Sequence, residues 1–305
     1  MKKIILDCDP GIDDAMAIAY ALNHPELDLL ALTTCFGNAH VDVTTKNALD
    51  LLELFEARNV PVYAGTNKAF DGSHPRDGAP AIHGENGVGD VALPSSTQKV
   101  QKDEAVDYLI RMAAEHPKEI TLVAVGTMTN VARAIEADPS FVTNIREIVM
   151  MGGAVRHPGN ITPLAEANIH ADPKAANVVF SSGASIRLVG LDVTMKTLLA
   201  KTQYEDWRTA SEIGQTLANI VDFYVTAYER NNPGIGGCSL HDPLAIGVVI
   251  DPSFVKTVPM DVTVGESGEA YGQTFGEENA ESSVHVCLEV DADRFVDHFL
   301  RHVLA

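Results

Sequence analysis

The sequence predicts an α/β protein with an open, mainly parallel sheet and helices on both faces. Short apolar segments alternate with longer segments of helical periodicity along most of the 305 residues. The apolar segments are apolar at successive positions, which is typical of strands buried on both faces. No repeat, low-complexity tract or linker interrupts this alternation. We therefore predict a single domain over residues 1–305.

The predicted elements follow one another in chain order. Predicted strands cover residues 3–7, 29–34, 120–125, 147–151, 185–190, 260–264 and 284–290. Predicted helices cover residues 12–22, 41–56, 104–115, 129–137, 173–182, 204–230 and 291–303, the last of them amphipathic. Residues 71–94 are rich in glycine, proline and histidine with little periodicity, which predicts a long loop. Loops of that length are often functional.

Charge and cysteine usage limit the possible partners. The chain carries 42 acidic and 22 basic side chains, a net charge of −20. This excess argues against nucleic acid or an anionic membrane as a partner, since both bind basic patches. The apolar start is too short for a signal peptide, and no segment approaches the length of a membrane span. The four cysteines lie far apart, so we expect free thiols and a cytoplasmic protein.

Four aspartates follow the first predicted strand: Asp7, Asp9, Asp13 and Asp14. A strand, a turn at Pro10-Gly11 and a helix would gather these carboxylates at one strand end. Carboxylates so close repel one another unless a cation or a shared proton relieves them. The sequence therefore predicts a divalent cation with oxygen ligands, Ca2+ or Mg2+. The alternative, an acidic residue that favours a helix N-terminus, explains one aspartate but not four.

Other polar groups also follow predicted strands. Ligands bind at the carboxyl ends of strands in open α/β sheets, so we expect the loops that begin near residues 9, 36, 126 and 152 to converge on one pocket. The pair His241-Asp242 precedes a predicted helix. Asp242 could complete a metal site begun by Asp9 and Asp14, and His241 would then have a pKa suited to proton transfer. Alone, the pair is equally typical of a capped helix beside a surface histidine.

A polar segment supplies candidate ligands for a sugar. Asn160, Glu166 and Asn168 lie within nine positions and offer both donors and acceptors, which suits vicinal hydroxyls. The alternative is an exposed polar loop. His83 lies in a glycine-flanked loop that indicates nothing by itself. The signatures of dinucleotide enzymes, P-loop NTPases, serine hydrolases and zinc proteases are missing from the sequence.

Four segments together resemble the inosine-uridine nucleoside hydrolase family. They are DCDPGIDDA at 7–15, IHGENG at 82–87, GNITPLAEANIHADP at 159–173 and HDP at 241–243. Their order and spacing also match, and the resemblance covers essentially the whole chain. It implies the Rossmann-like nucleoside hydrolase fold and hydrolysis of the N-glycosidic bond of purine or pyrimidine ribonucleosides, as in nucleoside salvage.

The resemblance implies a tightly held Ca2+. Its ligands would be Asp9, Asp14, Asp242 and the backbone carbonyl of Val125, completed by a water and two ribose hydroxyls. A shell of about eight oxygens suits Ca2+ better than Mg2+. Asp9 would also be the general base that takes a proton from the attacking water, and His241 would be the acid that protonates the leaving base.

The resemblance also assigns substrate contacts. Asp13, Glu166 and Asn168 would bind the ribose hydroxyls. Asn160 would hold the 5′-hydroxyl and Asn38 would help to orient ribose and water. The remaining substrate contacts would be Met151, which packs on the nucleoside, and His83 and Tyr228, which line the base pocket as secondary acid candidates.

Base preference and assembly are less specified. Pro75-Arg76-Asp77 resembles the broad-specificity bacterial members, and Ala167 stands where the family commonly has phenylalanine. The family forms homodimers and homotetramers, so either assembly is expected. Two other functions stay open at this point. Asp7-Cys8-Asp9 fits the DxD of haloacid-dehalogenase-type Mg2+ phosphatases, and a non-catalytic nucleoside-binding relative is the other alternative.

Overall fold

The structure is a computed structural model that describes residues 1–73 and 78–305. Its strands are β1 (Lys2–Cys8), β2 (Leu27–Thr34), β3 (Val62–Ala64), β4 (Ile120–Ala124), β5 (Glu147–Met151), β6 (Ile186–Val189), β7 (Leu198–Ala200), β8 (Gly237–Ser239), β9 (Val255–Val264), β10 (Thr274–Glu278) and β11 (Val284–Val290). Within the described residues, nine of these strands form one sheet, in the order β10-β9-β11-β6-β5-β4-β1-β2-β3. The other two, β7 and β8, pair as an antiparallel ribbon.

The sheet is mainly parallel, which confirms the predicted fold class. Seven strands that are adjacent in the sheet, β3-β2-β1-β4-β5-β6-β11, run parallel to one another. At the other edge of the sheet, β9 is antiparallel to both β10 and β11. The strand order reverses beside β1, because the chain builds outward to β2 and β3 and then returns to add β4 on the other side. Open α/β sheets bind ligands at such a reversal, outside the carboxyl ends of the strands.

Helices cover both faces of the sheet. They are α1 (Ile12–Asn23), α2 (Val41–Leu54), α3 (Pro80–His83), α4 (Ala105–Glu115), α5 (Thr129–Ala137), α6 (Ser140–Asn144), α7 (Ala167–Ala171), α8 (Pro173–Phe180), α9 (Leu191–Thr194), α10 (Lys201–Tyr204), α11 (Trp207–Ala210), α12 (Glu212–Asn231), α13 (His241–Ile250) and α14 (Ala292–His302). Pro252–Phe254 and Gly268–Ala270 form short 3-10 helices. No helix in the described part of the chain is long and apolar enough to cross a membrane.

Alternation along the central strands produces two cores. In β1, Ile4 and Leu6 pack on the face that carries α1, α12, α13 and α14, whereas Ile5 packs on the face that carries α4, α5 and α8. Successive side chains of a strand point to opposite faces, which is why a fully apolar segment is needed here. Every residue of α13 is buried, and this helix contacts α1, β4 and β5. The N-termini of α1 and α13 are thereby held close to the strand ends.

The predicted helix over 204–230 is wrong, because the structure divides this region into α10, α11 and α12. Ser211 begins α12: its hydroxyl accepts a hydrogen bond from the Gly214 N–H at 3.0 Å. The buried ring of Trp207 in α11 lies against Tyr204 and against Phe299 of α14, so the chain turns where periodicity alone predicts continuity. The predicted loop over 71–94 contains the short helix α3. The similarity noted at Pro75-Arg76-Asp77 lies outside the described residues.

Candidate active site

A cavity of about 490 Å³ opens beside the carboxyl ends of β1, β2, β4 and β5. Asn38 follows β2, Val125 follows β4 and Met151 ends β5, and all three line the cavity. The predicted convergence of the strand-end loops is confirmed. Eleven predicted site residues line this cavity: Asp13, Asn38, His83, Val125, Met151, Asn160, Glu166, Asn168, Tyr228, His241 and Asp242. The volume lies in the range of small-molecule sites.

Three buried carboxylates meet at this cavity. One carboxylate oxygen from each of Asp13, Asp14 and Asp242 lies within 4.8 Å of the other two. Asp13 and Asp14 belong to the first turn of α1, and Asp242 belongs to the first turn of α13. The positive end of a helix dipole stabilises a carboxylate, so two such ends face one acidic group. The cluster could hold a metal ion, and it contains Asp13, for which the family resemblance implies a contact with the sugar.

Asp9 lies beside this cluster with one oxygen unpaired. Its Oδ2 accepts a hydrogen bond from the Asn38 N–H at 2.6 Å, whereas its Oδ1 is buried without a hydrogen-bond partner among the described residues. Burial, together with the charge of Asp14, raises the pKa of Asp9 well above its usual range. Burial and the charge of Asp13 raise the pKa of Asp14 to about 7. Unpaired buried oxygens in a group of repelling carboxylates fit a hard divalent cation.

Asn38 fixes the two carboxylates beneath the cavity. Its side-chain Nδ2 donates to the backbone carbonyl of Asp9 and to Asp14 Oδ2, both at 3.1 Å.

The backbone of Gly126 lies close to the Asp9 carboxylate. A Cβ atom at this position would lie 2.6 Å from Asp9 Oδ1 and 2.5 Å from Cys35 Sγ. The β4–α5 turn therefore needs glycine at this position in order to leave room for the Asp9 carboxylate.

The polar segment before α7 is ordered by its own side chains. Glu166 begins α7: its Oε1 accepts from the Asn168 N–H at 2.9 Å, and its Oε2 accepts from the Gly153 N–H at 2.8 Å. Asn168 Nδ2 in turn donates to the Val125 carbonyl at 2.7 Å. Asn160 Oδ1 accepts from the Ala167 N–H. These bonds hold Glu166 and Asn168 at the cavity, whereas Asn160 also lines the cavity but is exposed, as the alternative of an exposed polar loop expected.

His241 lies in a chain of hydrogen bonds. Its Nε2 is 2.5 Å from the Tyr228 hydroxyl, and its Nδ1 is 2.7 Å from Thr194 Oγ1. Burial lowers the pKa of His241 to about 4, although the charge of Asp13 opposes this effect. This direction opposes the pKa expected for proton transfer, an expectation that applied to His241 beside a bound metal ion. His83 is likewise buried, and burial lowers its pKa to about 4.

Two contributors were missed by sequence reasoning. The Tyr224 hydroxyl donates to Asp13 Oδ2 at 3.3 Å, and its ring lies against His83 with a centroid distance of 5.5 Å. Tyr224 is one helical turn before Tyr228, so a shared helix face was the available signal. Thr194 reaches His241 from α9, an element too short for periodicity to reveal.

Comparisons with known proteins agree with this arrangement. The family model described as inosine-uridine preferring nucleoside hydrolase matches residues 4–297. The chain belongs to this family. Its membership confirms the enzyme class read from the four segments, ribonucleoside hydrolase.

Individual relatives cover nearly the whole of this nucleoside hydrolase. It is 39% identical to Uridine nucleosidase 1 of Arabidopsis thaliana, over 90% of this chain and 81% of the relative. It is also 39% identical to the pyrimidine-specific ribonucleoside hydrolase RihB of Escherichia coli, over 96% of this chain and 94% of the relative. The solved purine-preferring ribonucleoside hydrolase from Gardnerella vaginalis superposes with a TM-score of 0.96 at 39% identity, over 99% and 98% of the two chains.

Proposed function

We propose that this nucleoside hydrolase cleaves the N-glycosidic bond of ribonucleosides, with Ca2+ as its resident ion. The observation that carries the proposal is the buried acidic group at the cavity floor, Asp13, Asp14 and Asp242, with the unpaired Oδ1 of Asp9 beside it. Such a group is costly unless a cation or a substrate with developing positive charge compensates it. Both are supplied in the reaction proposed.

Ca2+ suits the donors better than other ions. The groups proposed as ligands are the carboxylates of Asp9, Asp14 and Asp242 and the carbonyl of Val125, all of them oxygens. Hard cations select oxygen ligands, and Ca2+ accepts six to eight of them in flexible geometry. When bound, the cation would supply Lewis-acid activation of the attacking water and hold the vicinal hydroxyls of the sugar.

Asp9 is proposed as the general base. Its Oδ2 is held by the Asn38 N–H, so Oδ1 remains to accept the proton of the attacking water. Burial and the charge of Asp14 raise the pKa of Asp9 in the ion-free site, and a bound cation would lower it again, so that Asp9 is ionised when it accepts the proton. Asn38 would act by fixing the direction of this carboxylate as well as by orienting the substrate.

The sugar is proposed to bind over the acidic group. Bond cleavage makes the ribose ring resemble an oxocarbenium ion, and nearby carboxylates stabilise that charge as it develops. Asp13, Glu166 and Asn168 would contact the ring hydroxyls, and Asn160 the 5′-hydroxyl. Met151 ends β5 at the cavity and would pack against the nucleoside.

The leaving base is proposed to receive help from the chain Tyr228–His241–Thr194 rather than from a protonated imidazole. Burial raises the pKa of Tyr228 and lowers that of His241, so both groups are neutral near pH 7. The neutral Tyr228 hydroxyl can donate a hydrogen bond to the departing base and pass its proton to it, which leaves a tyrosinate oxygen that accepts a hydrogen bond from His241 Nε2–H. His83 is proposed as a second contact to the base.

The proposal covers purine and pyrimidine nucleosides, because relatives of equal identity are named for either class. We also propose a single cytoplasmic domain that assembles as a homodimer or homotetramer. The four cysteines are free and buried, in line with a reducing compartment. Tyr271 and Phe275 are exposed at the edge strand β10 and its approach, in line with a contact between subunits.

The test is release of ribose from uridine, cytidine, inosine and adenosine, each with Ca2+ and after chelation. We expect release that requires the ion, and the four rates give the base preference. If the folded, Ca2+-loaded protein binds nucleosides without turnover, the non-catalytic alternative replaces this proposal. The phosphatase alternative is set aside by the family membership.

A further inference from the structure

Three histidines cluster at the end of α1 that lies away from the cavity. His24 follows the last residue of α1, and His298 and His302 lie four residues apart on α14. One ring nitrogen of each lies within 4.8 Å of those of the other two. Positions four apart share a helix face, and histidine pairs at this spacing bind metal ions on helices.

Hydrogen bonds prepare two of these rings. His302 Nδ1 lies 2.8 Å from the backbone carbonyl of His298, which can only accept, so Nδ1 carries the proton and Nε2 carries the lone pair. His298 Nδ1 lies 2.6 Å from the Tyr20 hydroxyl, and when Nδ1 donates to that oxygen, Nε2 carries the lone pair. Metal-binding histidines are held in this manner, with one ring nitrogen fixed by a neighbour and the other directed at the ion.

The third ring comes from the other helix. His24 is 4% exposed, and its Nδ1 accepts a long bond of 3.3 Å from the Glu26 N–H. Because that bond is long, His24 loses little by turning either nitrogen toward an ion. Its ring centroid lies 4.7 Å from that of His302 and 5.3 Å from that of His298.

The surroundings favour the neutral form of His24 and His298 and leave the cluster reachable from solvent. Burial, followed by the neighbouring histidines, lowers the pKa of His298 to about 4, and burial also lowers the pKa of His24. His298 and His302 are half-buried, so an ion can enter from solvent. Nearby charges have opposing effects on these pKa values. At His24, Glu26 raises the pKa and Lys2 lowers it; at His298, Asp251 raises the pKa and Arg301 lowers it.

We propose that His24, His298 and His302 bind one Zn2+ ion that ties α1 to α14. Three imidazole nitrogens with a water in the fourth position are a known zinc arrangement, with nitrogens about 3.3 Å apart at a Zn–N length of about 2.05 Å. The rings of His298 and His302 stack with centroids 4.3 Å apart and an interplanar angle of 28°, so both rings must turn in order to direct a nitrogen at one ion. This site lies beyond the proposed function, and it selects a different class of ion, since Ca2+ and Mg2+ prefer oxygen.

The two ion sites would occupy opposite ends of α1. His24 is eleven residues after Asp13, roughly 16 Å along the helix at about 1.5 Å per residue. The histidine site would therefore act on stability, by joining the C-terminal helix to α1, and not on the reaction. This separation allows the two sites to be tested independently.

The experiment uses tag-free protein saturated with Ca2+ and titrated with Co2+, which substitutes for Zn2+ and reports on its ligands through its visible spectrum. We expect one Co2+ per chain, displaced by Zn2+. His302→Gln should weaken Co2+ binding by about tenfold or more. The matched control is His116→Gln, a partly exposed histidine at the end of α4, which should bind like the parent.

Ribose release and thermal unfolding without transition metal show that each variant is folded, and both should match the parent. If His302→Gln does not fold, His24→Gln removes the ring from the other helix and carries the same expectation. Three results would overturn the proposal: no Co2+ bound by the parent, equal binding by parent and His302→Gln, or loss of the Co2+ spectrum as Ca2+ is raised.

Discussion

At the scale of single residues, Asp9 gives the most specific prediction. Its Oδ2 accepts a hydrogen bond from the Asn38 N–H, whereas its Oδ1 has no hydrogen-bond partner among the described residues. Asp9→Asn keeps the shape and the bond to the Asn38 N–H while it removes the proton acceptor. We expect kcat to fall by about 10²–10⁴-fold, the usual contribution of a general base. The measurement is ribose release with saturating Ca2+, with ion binding followed by calorimetry. A variant that binds the ion and turns over normally would contradict the role.

His241 and Tyr228 are predicted to act on the leaving base as one unit. His241→Ala and Tyr228→Phe should each slow inosine, whose base needs a proton, far more than p-nitrophenyl riboside, whose leaving group does not. The double variant should be little slower than either single variant, since members of a unit are non-additive. Steady-state rates on both substrates decide this. Equal losses on the two substrates would remove the pair from leaving-group chemistry.

The residue types of the site were predictable, whereas their ionisation was not. Asp9 and Asp242 could be singled out because acidic groups after buried strands or before helices have few structural reasons to gather. The low pKa of His241 results from burial, and α9 and α12 bring Thr194 and Tyr228 to its two nitrogens. No local pattern encodes that surrounding.

At the scale of elements, the β4–α5 turn is predicted to be intolerant of a single methyl group. In Gly126→Ala the new Cβ would lie 2.6 Å from Asp9 Oδ1, so the carboxylate must turn away. The backbone there is compatible with alanine, because Gly126 is not among the glycines with positive φ. We expect a large loss of kcat, about tenfold or more, with the fold retained.

Cys35 supplies the control for Gly126→Ala, since its Sγ would lie 2.5 Å from the same Cβ. Adding Cys35→Ala removes that second contact and leaves the one with Asp9. Activity should stay low in the double variant, and Cys35→Ala alone should be nearly as active as the parent. Recovery in the double variant would show that the turn acts through Cys35 and not through the catalytic carboxylate.

Apolar strands within the sheet were predictable, whereas short or polar edge elements were not. The segments for β5 and β11 matched at both ends, because apolar residues dominate both sequences, EIVMM and VHVCLEV. The strands β3, β7 and β8 were missed because each has only three residues, and the edge strand β10 was missed because its sequence, TFGEE, is mostly polar. The division before α12 depends on the Ser211 cap and on the burial of Trp207, and the latter is a tertiary effect.

At the scale of the whole molecule, the site exists because three distant parts of the chain meet. The reversal of strand order places β1 beside β4, and the fully buried α13 packs against α1. The acidic first turns of both helices therefore converge although 228 positions separate Asp14 from Asp242. The ordered fold must overcome the repulsion of these carboxylates, which raises the question of what the ion contributes to stability.

Ca2+ is predicted to stabilise the folded protein and chelation to destabilise it. Ligand at a hundredfold excess over its Kd adds about 2.7 kcal/mol to the free energy of unfolding. Asp242→Asn should change the free energy of unfolding in opposite directions with and without the ion. Without the ion it should be more stable than the parent, by about 1–3 kcal/mol, because a buried group that repels its neighbours is gone. With Ca2+ it should gain less than the parent, because a proposed ligand is missing.

Thermal unfolding of both proteins with chelator and with Ca2+ gives the four values that are needed. Mg2+ serves as the comparison ion, since its stricter octahedral geometry fits this donor set less well and should stabilise less. The decisive feature is that the variant is more stable than the parent without the ion and less stable than the parent with it. If Asp242 were purely structural, the variant would be less stable in both conditions. Only a carboxylate whose role is to bind the ion lowers stability when the ion is absent and raises stability when the ion is bound. That result would show that the destabilising acidic cluster is required for ion binding.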